Sequence, residues 1–490
     1  MRASADHHNY HLSIKSTYQQ IFIMAQFIRG ERGGNLLLYR GFMYKKKEHK
    51  GAKDYYICHH VGCNVRLHTL ANTLNVVHYN GNQFHQHPRP IDDIVTSVMV
   101  EEMKNRIDAD PTKHLPKMWE EVIDWHETTY GHGFIYPDFT NHKSKLYRHR
   151  AESMPALPTY VQDIDFAAVA QVWSETHRET SFMLKQDTNF GITIFTTLEQ
   201  LELLVDSRYN LADGTFKTAP PPYSQLYTIH GVENNRRVPL VFALMTNKST
   251  ADYQRLLQLL HRYTQRAFNR VWSPNLFITD YETGMINAVA TDLPNTNHHG
   301  CLFHFTQAIF KKVKEYGLTR AYRRNNQVTD FVRKIMALPF LPIPVLRMNY
   351  DLHKQANRRL MRQYPALLRL TRYFEMTWLN GPFPLRMWNV HDRHPRLRTT
   401  NAIEGWHKRW NNLVGRVRPN IWYLIVCLKK EEAVVHRVVR KIRANRPPPR
   451  QIRRYRRLNE LILLYKREFQ TGVKTLDEYW NAIKYACHHF

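Results

Sequence analysis

Two rhythms of apolar and polar residues divide the first third of this chain. From Asn35 the alternation is strand-like, in LLLYRGFMYKKK, DYYICHHVGCNVRLHTL and NVVHYNGNQFHQHP, punctuated by Gly41, Gly51, Gly62 and Gly81. This pattern predicts a small antiparallel sheet with tight turns. Beyond Ile91 the spacing becomes helical: Val95, Val98, Met99 and Met103 share one face, as do Met118, Val122 and Trp125 further on. Three short helices are expected between 91 and 154. The third carries Lys143, Lys145, Arg148 and Arg150, and serves either as a recognition helix on DNA or as part of a structural spacer. Pro155, Pro158 and the polar run to Gln162 read as a linker. Residues 1–34 are polar and without period, apart from a patch around Ile21 to Phe27, and are expected to form a disordered arm.

The central part is richer in strands. ITIF, within 190–206, reads as a strand followed by an amphipathic helix. Three further strands are expected at about 208–213, 225–233 and 237–246, with Asn234-Asn235 turning the second into the third. Thr250 to Ala267 reads as a helix capped by Thr250, with Tyr253, Leu256, Leu257 and Leu260 buried. The apolar run Leu276-Phe277-Ile278 then predicts a buried strand closed by Asp280. A helix with Met285, Ile286 and Val289 inward follows, and a second apolar segment leads into Cys301-Leu302-Phe303-His304. From 306 to 395 the chain is helical and basic, with no strand signal. In RTTNAIEGWHKRW a helix starts at Thr400 or Asn401 and puts Glu404, His407 and Lys408 on one face. A Val- and Ile-rich helix, an Arg-rich run at 437–457 and a last amphipathic helix complete the chain. The Arg-rich run suits a solvated connector, phosphate contact or nuclear import alike.

Charge narrows the partners. The 490 residues hold 70 Lys plus Arg against 42 Asp plus Glu, a formal charge of +28. An excess of that size favours a polyanion, because each neutralised phosphate releases counterions. Five cysteines, an odd count, suggest a reducing compartment rather than a disulfide framework. No apolar run is long enough to span a bilayer, and MRASADHHNYHLS lacks the apolar core of a secretion signal. An intracellular soluble protein is expected.

Two sets of residues carry candidate chemistry. Cys58 and Cys63 enclose four residues, and after 21 intervening residues come His85 and His87. Two thiolates and two imidazoles make a closed tetrahedral Zn²⁺ site, a staple that so small a sheet needs. His59, His60, His68 and His78 are alternative ligands. The second set is acidic. Asp213 stands at or near the end of its strand and Asp280 closes the other, where open α/β sheets hold ligands. Unit charges about 4 Å apart at an effective dielectric near 20 repel by roughly 4 kcal/mol. Three convergent carboxylates therefore need divalent cations or a held proton, and oxygen ligands suit Mg²⁺ or Mn²⁺. Spacing alone does not choose among Asp213, Asp280, Glu404 and the nearby Asp206, Glu233, Glu282, Asp292 and Asp392.

The motifs do choose. ADGTFK around Asp213, TDYETGMINA around Asp280, CLFH at Cys301 and His304, and TNAIEGWH around Glu404 together resemble those of Mutator-like (MULE) DNA transposases. Leu37 to Pro88 resembles a FLYWCH-type zinc finger, with Tyr56 where that family has Trp and a short loop between the cysteines. The resemblance covers about Leu37 to Asn412. It implies an α+β multidomain protein, with a zinc finger at 35–90 and a helix-turn-helix-like helical region at 91–158. A ribonuclease-H-like core at 159–305 and 396–415, interrupted by a helical insertion at 306–395, and a basic helical carboxyl-terminal region at 416–490 would follow. It implies catalysis by Asp213, Asp280 and Glu404 holding two Mg²⁺ or Mn²⁺ ions, with Cys301 and His304 supporting the site. The function implied is binding of transposon ends, metal-dependent cleavage and strand transfer. Water would attack first and the freed 3′ hydroxyl second, in a nuclear homodimer or larger homo-oligomer acting on DNA with no membrane partner. Lys143, Lys145, Arg148, Arg150, Trp406 and His407 are candidate DNA contacts, and Trp406 is equally suited to packing. A transposase-derived zinc-finger regulator without transposition and a structure-specific nuclease are the rival readings.

Overall fold

A computed structural model of the chain describes residues 25–29, 35–80, 84–169, 171–398, 401–450 and 452–485. It forms two compact units, Met1–Ala156 and Leu157–Phe490. No helix among the described residues is long and apolar enough to cross a membrane.

The first unit opens with six antiparallel strands in chain order: β1 (Gln26–Arg29), β2 (Asn35–Tyr39), β3 (Phe42–Lys50), β4 (Lys53–Cys58), β5 (Arg66–Leu70) and β6 (Val76–Tyr79). The strand alternation predicts most of these directly. Leu37, Tyr44, Tyr56 and Leu67 gather in one core, while Ile28, Leu38, Met43 and Ile94 form another. The exception is β1, which pairs with β2 from Gln26↔Leu38 to Arg29↔Asn35. The sheet thus begins inside the stretch expected to be a disordered arm. Four residues were too short for their period to show, and Ile28 is buried against Leu36, Leu38, Met43 and Ile94. Residues 1–24 and 30–34 of that stretch lie outside the described residues.

Three helices follow: α1 (Ile91–Ala109), α2 (Leu115–Tyr130) and α3 (Phe139–Glu152). Met99, Met103, Trp119, Val122 and Leu146 form their shared core. Leu146 is the single buried residue of α3. Its basic face stays accessible, with Lys143 and Arg148 exposed and Lys145 and Arg150 half-buried.

The second unit is built on a seven-stranded mixed sheet. Its strands are β7 (Met183–Asp187), β8 (Ile192–Phe195), β9 (Tyr209–Thr215), β10 (Gln225–Glu233), β11 (Arg236–Met245), β12 (Leu276–Thr279) and β13 (Asn297–Gly300). Their order across the sheet is β13-β12-β9-β10-β11-β8-β7. The expected antiparallel triplet is β9–β10–β11, and β12 runs parallel to both β9 and β13. Asn234 and Asn235 both have positive φ, 47° and 56°, as a tight turn matching the twist of its strands requires.

Helices α4 (Leu198–Asp206), α5 (Thr250–Phe268) and α6 (Thr283–Asp292) cover one face. Leu201, Tyr253, Leu256 and Met285 pack there on Ala212, Tyr227 and Phe277. The cap of α5 is Ser249, which accepts from Asp252 N–H while Asp252 accepts in return. Thr250, expected in that role, is already inside the helix. Gly284 lets α6 approach closely, since a Cβ there would lie 2.5 Å from the Lys248 carbonyl oxygen.

After β13 the chain is helical: α7 (Leu302–Glu315), α8 (Thr319–Arg324), α9 (Asn326–Ala337), α10 (Ile343–Ala356), α11 (Arg358–Gln363), α12 (Ala366–Phe374), α13 (Leu385–Trp388), α14 (Asn401–Val414), α15 (Ile421–Arg443), α16 (Arg453–Gln470) and α17 (Leu476–Ile483). The carboxyl-terminal helices do not form a region of their own. Val435, Val439 and Ile442 of α15 join the sheet's core, whereas Leu458, Ile462, Tyr479 and Trp480 of α16 and α17 join the core of the insertion. An amphipathic helix must bury its stripe against something, and the sequence of that stripe does not say which core receives it.

Candidate metal centres

In the first unit, β4 ends at Cys58, the turn after it presents Cys63, and the segment beyond β6 carries His85 and His87. The four ligand atoms lie within 4.8 Å of one another. Cys58 Sγ is 3.3 Å from His87 Nε2, Cys63 Sγ is 3.3 Å from His85 Nδ1, and the two ring nitrogens are 3.2 Å apart. A tetrahedron with zinc bond lengths has edges of about 3.3 Å between nitrogens and about 3.5 Å between sulfur and nitrogen. The donor set and its spacing therefore fit Zn²⁺. The remaining ring nitrogens are engaged as a zinc site requires: His87 Nδ1 donates to the Pro88 carbonyl at 2.9 Å, and His85 Nε2 pairs with the Tyr44 hydroxyl at 3.0 Å. Such partners orient a ligating imidazole and fix which nitrogen is free to bind. His60 stacks on His87 at 4.0 Å, and His68 and His78 contact each other instead. None of the alternative histidines joins the four.

In the second unit, sheet register accounts for the first two acids. Leu276 pairs with Tyr209 and Ile278 with Leu211 across the parallel strands β12 and β9. Continued by two residues, that register sets Asp280 beside Asp213. Leu211 and Asp213 leave the same face of β9, opposite Ala212 and the cover of α5 and α6. On that face Leu211 and Ile278 pack with Cys301 and Ile403, so α14 lies where the two aspartates emerge. The insertion makes this possible by closing on itself: the Leu302 amide at its start donates to the Arg398 carbonyl at its end, at 3.1 Å. Arg393 strengthens the closure, donating to the Gly300, Met387 and Asn389 carbonyls. A residue far along the chain is thereby delivered beside β9 and β12.

Glu404, one turn into α14, meets Asp213 there. The ligand atoms of Asp213, Glu404 and His407 lie within 4.8 Å of one another. Asp280 stands outside that tight group, and its Oδ1 accepts from the Glu282 amide at 3.3 Å, just before α6. His304 Nε2 is 3.6 Å from Glu404 Oε1. Four of the five other nearby acids are engaged elsewhere. Glu282 accepts from the Tyr253 hydroxyl and faces Lys248, Asp206 pairs with Arg270, Asp292 accepts from Gln258, and Asp392 pairs with Lys466.

The electrostatics are those of crowded carboxylates. Burial pushes Asp213 up to about 7, and Asp280 and Glu404 add to the rise against the pull of His304 and the Gly214 amide. Asp280 is raised as well, by burial first and Glu282 second. Burial alone would lower His304, yet the Cys301 side chain and the two aspartates outweigh it and push the imidazole up to about 10. His407 goes the other way: burial, with His304 beside it, pulls it down to about 4, so it is neutral at pH 7. Among these side chains Asp213, Asp280 and Glu404 offer the oxygens that hard divalent ions take.

Two expected DNA contacts are not on a surface. Trp406 is buried, stacked on Trp410 at 5.5 Å and donating from Nε1 to Glu431 at 2.8 Å. His407, the next residue, is buried against Asp213. On an amphipathic helix, adjacent residues 406 and 407 flank the packed stripe, and the sheet covers both. His407, expected as a DNA contact, thus faces Asp213 rather than solvent. Its place one turn beyond Glu404 was the available signal.

Two families match parts of the chain: the MULE transposase domain over residues 209–308 and the FLYWCH zinc finger domain over residues 27–87. The first segment runs from β9 into α7 and holds Asp213, Asp280, Cys301 and His304, and Glu404 lies beyond it. The second holds all four zinc-ligand candidates. No curated protein matches the chain.

Proposed function

From the MULE transposase domain and the FLYWCH zinc finger domain present in this chain, we propose that it is a DNA transposase with a ribonuclease-H-like core. Asp213, Asp280 and Glu404 are its catalytic carboxylates, and the zinc finger with the basic face of α3 engages transposon ends. The observation that carries the reading is the meeting of Glu404 with Asp213, across an insertion that separates them in sequence but closes at its base.

The three carboxylates would hold divalent ions, which when bound supply charge neutralisation at the phosphate and a more acidic water. The chain's own part is to gather the charges and keep them gathered. With a cation bound, Asp213 would be ionised, because the opposite charge would offset the burial that raises it. His304 supplies a positive charge beside Glu404 and the aspartates, which balances them before the site is filled. Cys301, buried at the head of α7, holds that imidazole in place. The net charge of +28 favours a long DNA contact, and cutting two ends together calls for at least a homodimer working in the nucleus.

The test uses duplex DNA carrying the termini that flank the coding region. Parent protein with Mg²⁺ or Mn²⁺ should nick that DNA and join the freed 3′ ends to a second duplex. Asp213→Asn, Asp280→Asn and Glu404→Gln should each lose both steps while still binding the ends. Equal cleavage by the three variants would remove the catalytic assignment. End binding with no cleavage by the parent protein would favour a DNA-binding regulator.

A further inference from the structure

His407 leaves the same face of α14 as Glu404, one turn further on. It is 8% exposed, and among the described residues its Nε2 meets no hydrogen-bond partner. Its Nδ1 faces Asp213 Oδ2 at 3.8 Å, beyond hydrogen-bonding range. Nδ1 and the Asp213 carboxylate are thus both buried and aimed at each other across a gap too wide for a hydrogen bond, which a shared cation would span. In an octahedron with metal–ligand bonds near 2.1 Å, adjacent ligands stand about 3 Å apart and opposite ligands about 4.2 Å apart. The 3.8 Å separation falls between these, and Glu404 offers a carboxylate oxygen within 4.8 Å of both partners.

We infer that His407 is a nitrogen ligand to a divalent cation shared with Asp213 and Glu404, and that it biases this position toward a first-row transition ion such as Mn²⁺ and away from Mg²⁺. The inference rests on the reading of this site as a cation centre and adds a fourth residue to it. Mg²⁺ binds through oxygen and keeps its waters, whereas imidazole suits transition ions. An all-carboxylate site leaves the choice to metal availability. A site with one imidazole does not. His304 also stands beside Glu404, at 3.6 Å, but the group whose ligand atoms all lie within 4.8 Å of one another is Asp213, Glu404 and His407.

Full-length protein with one equivalent of zinc in its finger is titrated with Mn²⁺ and followed by pulsed electron paramagnetic resonance. Bound Mn²⁺ should show nitrogen modulation from a coordinated imidazole, and the pattern should change to that of ¹⁵N when histidine is labelled. His304→Gln should keep the modulation and His407→Asn should lose it. The Mg²⁺ excess needed to displace half of the Mn²⁺ should fall roughly tenfold or more in His407→Asn. Bound Mn²⁺ without nitrogen modulation in the parent would overturn the inference, as would modulation lost in His304→Gln. If His407→Asn does not fold, the parent and His304→Gln decide the matter on their own. Mn²⁺ binding equally weak in the parent and in Asp213→Asn would overturn the cation centre itself, a result distinct from Mn²⁺ bound through oxygen alone.

Discussion

Replacing Arg409 by Met, and separately Glu431 by Gln, probes how the helix that carries Glu404 is held. Glu431, on α15, is fully buried. Its Oε1 accepts from Trp406 Nε1 at 2.8 Å and from Arg409 Nη2 at 2.5 Å, and its Oε2 accepts from Arg409 Nη1 at 2.7 Å. The two partners are unequally placed, because the Arg409 side chain is 47% exposed. Arg409→Met leaves a buried carboxylate with the Trp406 indole as its one remaining donor of these, and stranding a buried charge costs about 3–5 kcal/mol. In Glu431→Gln the guanidinium turns out to water and the amide oxygen still accepts from Trp406. That change removes charge-assisted hydrogen bonds without stranding an ion, at about 1–2 kcal/mol. Urea unfolding of the full chain, with native-state hydrogen exchange read over Asn401–Val414, measures both. The expected order is a larger loss for Arg409→Met, with faster exchange in α14 for each variant. Equal losses, a reversed order, or losses under about 0.5 kcal/mol for both would refute the claim that this carboxylate anchors α14.

Two other predictions concern the first unit. Structural zinc contributes about 10–16 kcal/mol of apparent binding energy at pH 7, comparable to or above a domain's whole stability. Chelation, or Cys63→Ser, should therefore abolish amide protection in β2 to β5 while α5 stays protected, and persistent protection in the strands would contradict the zinc reading. The second prediction is a pH dependence set by His126, whose ring lies among Tyr130, Phe134 and Tyr136. Burial pulls His126 down to about 4, with Glu127 opposing more weakly. Its folded value lies below the unfolded one near 6.5, so the unfolded chain takes up the proton first. Stability contributed at pH 7 should decline as pH falls from about 6.5 toward 4, by at most roughly 3 kcal/mol. Hydrogen exchange in Leu115–Tyr130 should follow that decline, and His126→Phe should flatten it.

The parts of this protein that announced themselves in sequence are those whose period or spacing is enforced locally. The zinc quartet was legible because a tetrahedral ion dictates which residue types recur at short range. The strands β9 to β12 were legible because the sheet is covered and their positions must be apolar. Polar elements were not. Asn297–Gly300 has no apolar alternation and is a strand only because β12 offers it a free edge, and Met183–Asp187 is likewise an outer strand of the sheet. Asp213 and Asp280 could be placed at strand ends, but their adjacency depends on a parallel register that no local pattern encodes. Arg393 escaped notice altogether, since a guanidinium that joins β13 to the insertion looks like any surface arginine until its carbonyl partners are known. The burial of His407 and Trp406 was not legible for the same reason. An aromatic and an imidazole in a basic helix suggest DNA, and only the sheet packed beside them shows that they face inward.

The claim on which the account depends is that Asp213, Asp280 and Glu404 converge to bind divalent cations. Crystals grown with Mn²⁺ and measured at the manganese absorption edge test it directly. The account predicts anomalous density within about 2.5 Å of the Asp213 and Glu404 carboxylates, with a further peak or the same one reached by Asp280. Well-ordered carboxylates at saturating Mn²⁺ with no anomalous density between them would contradict it.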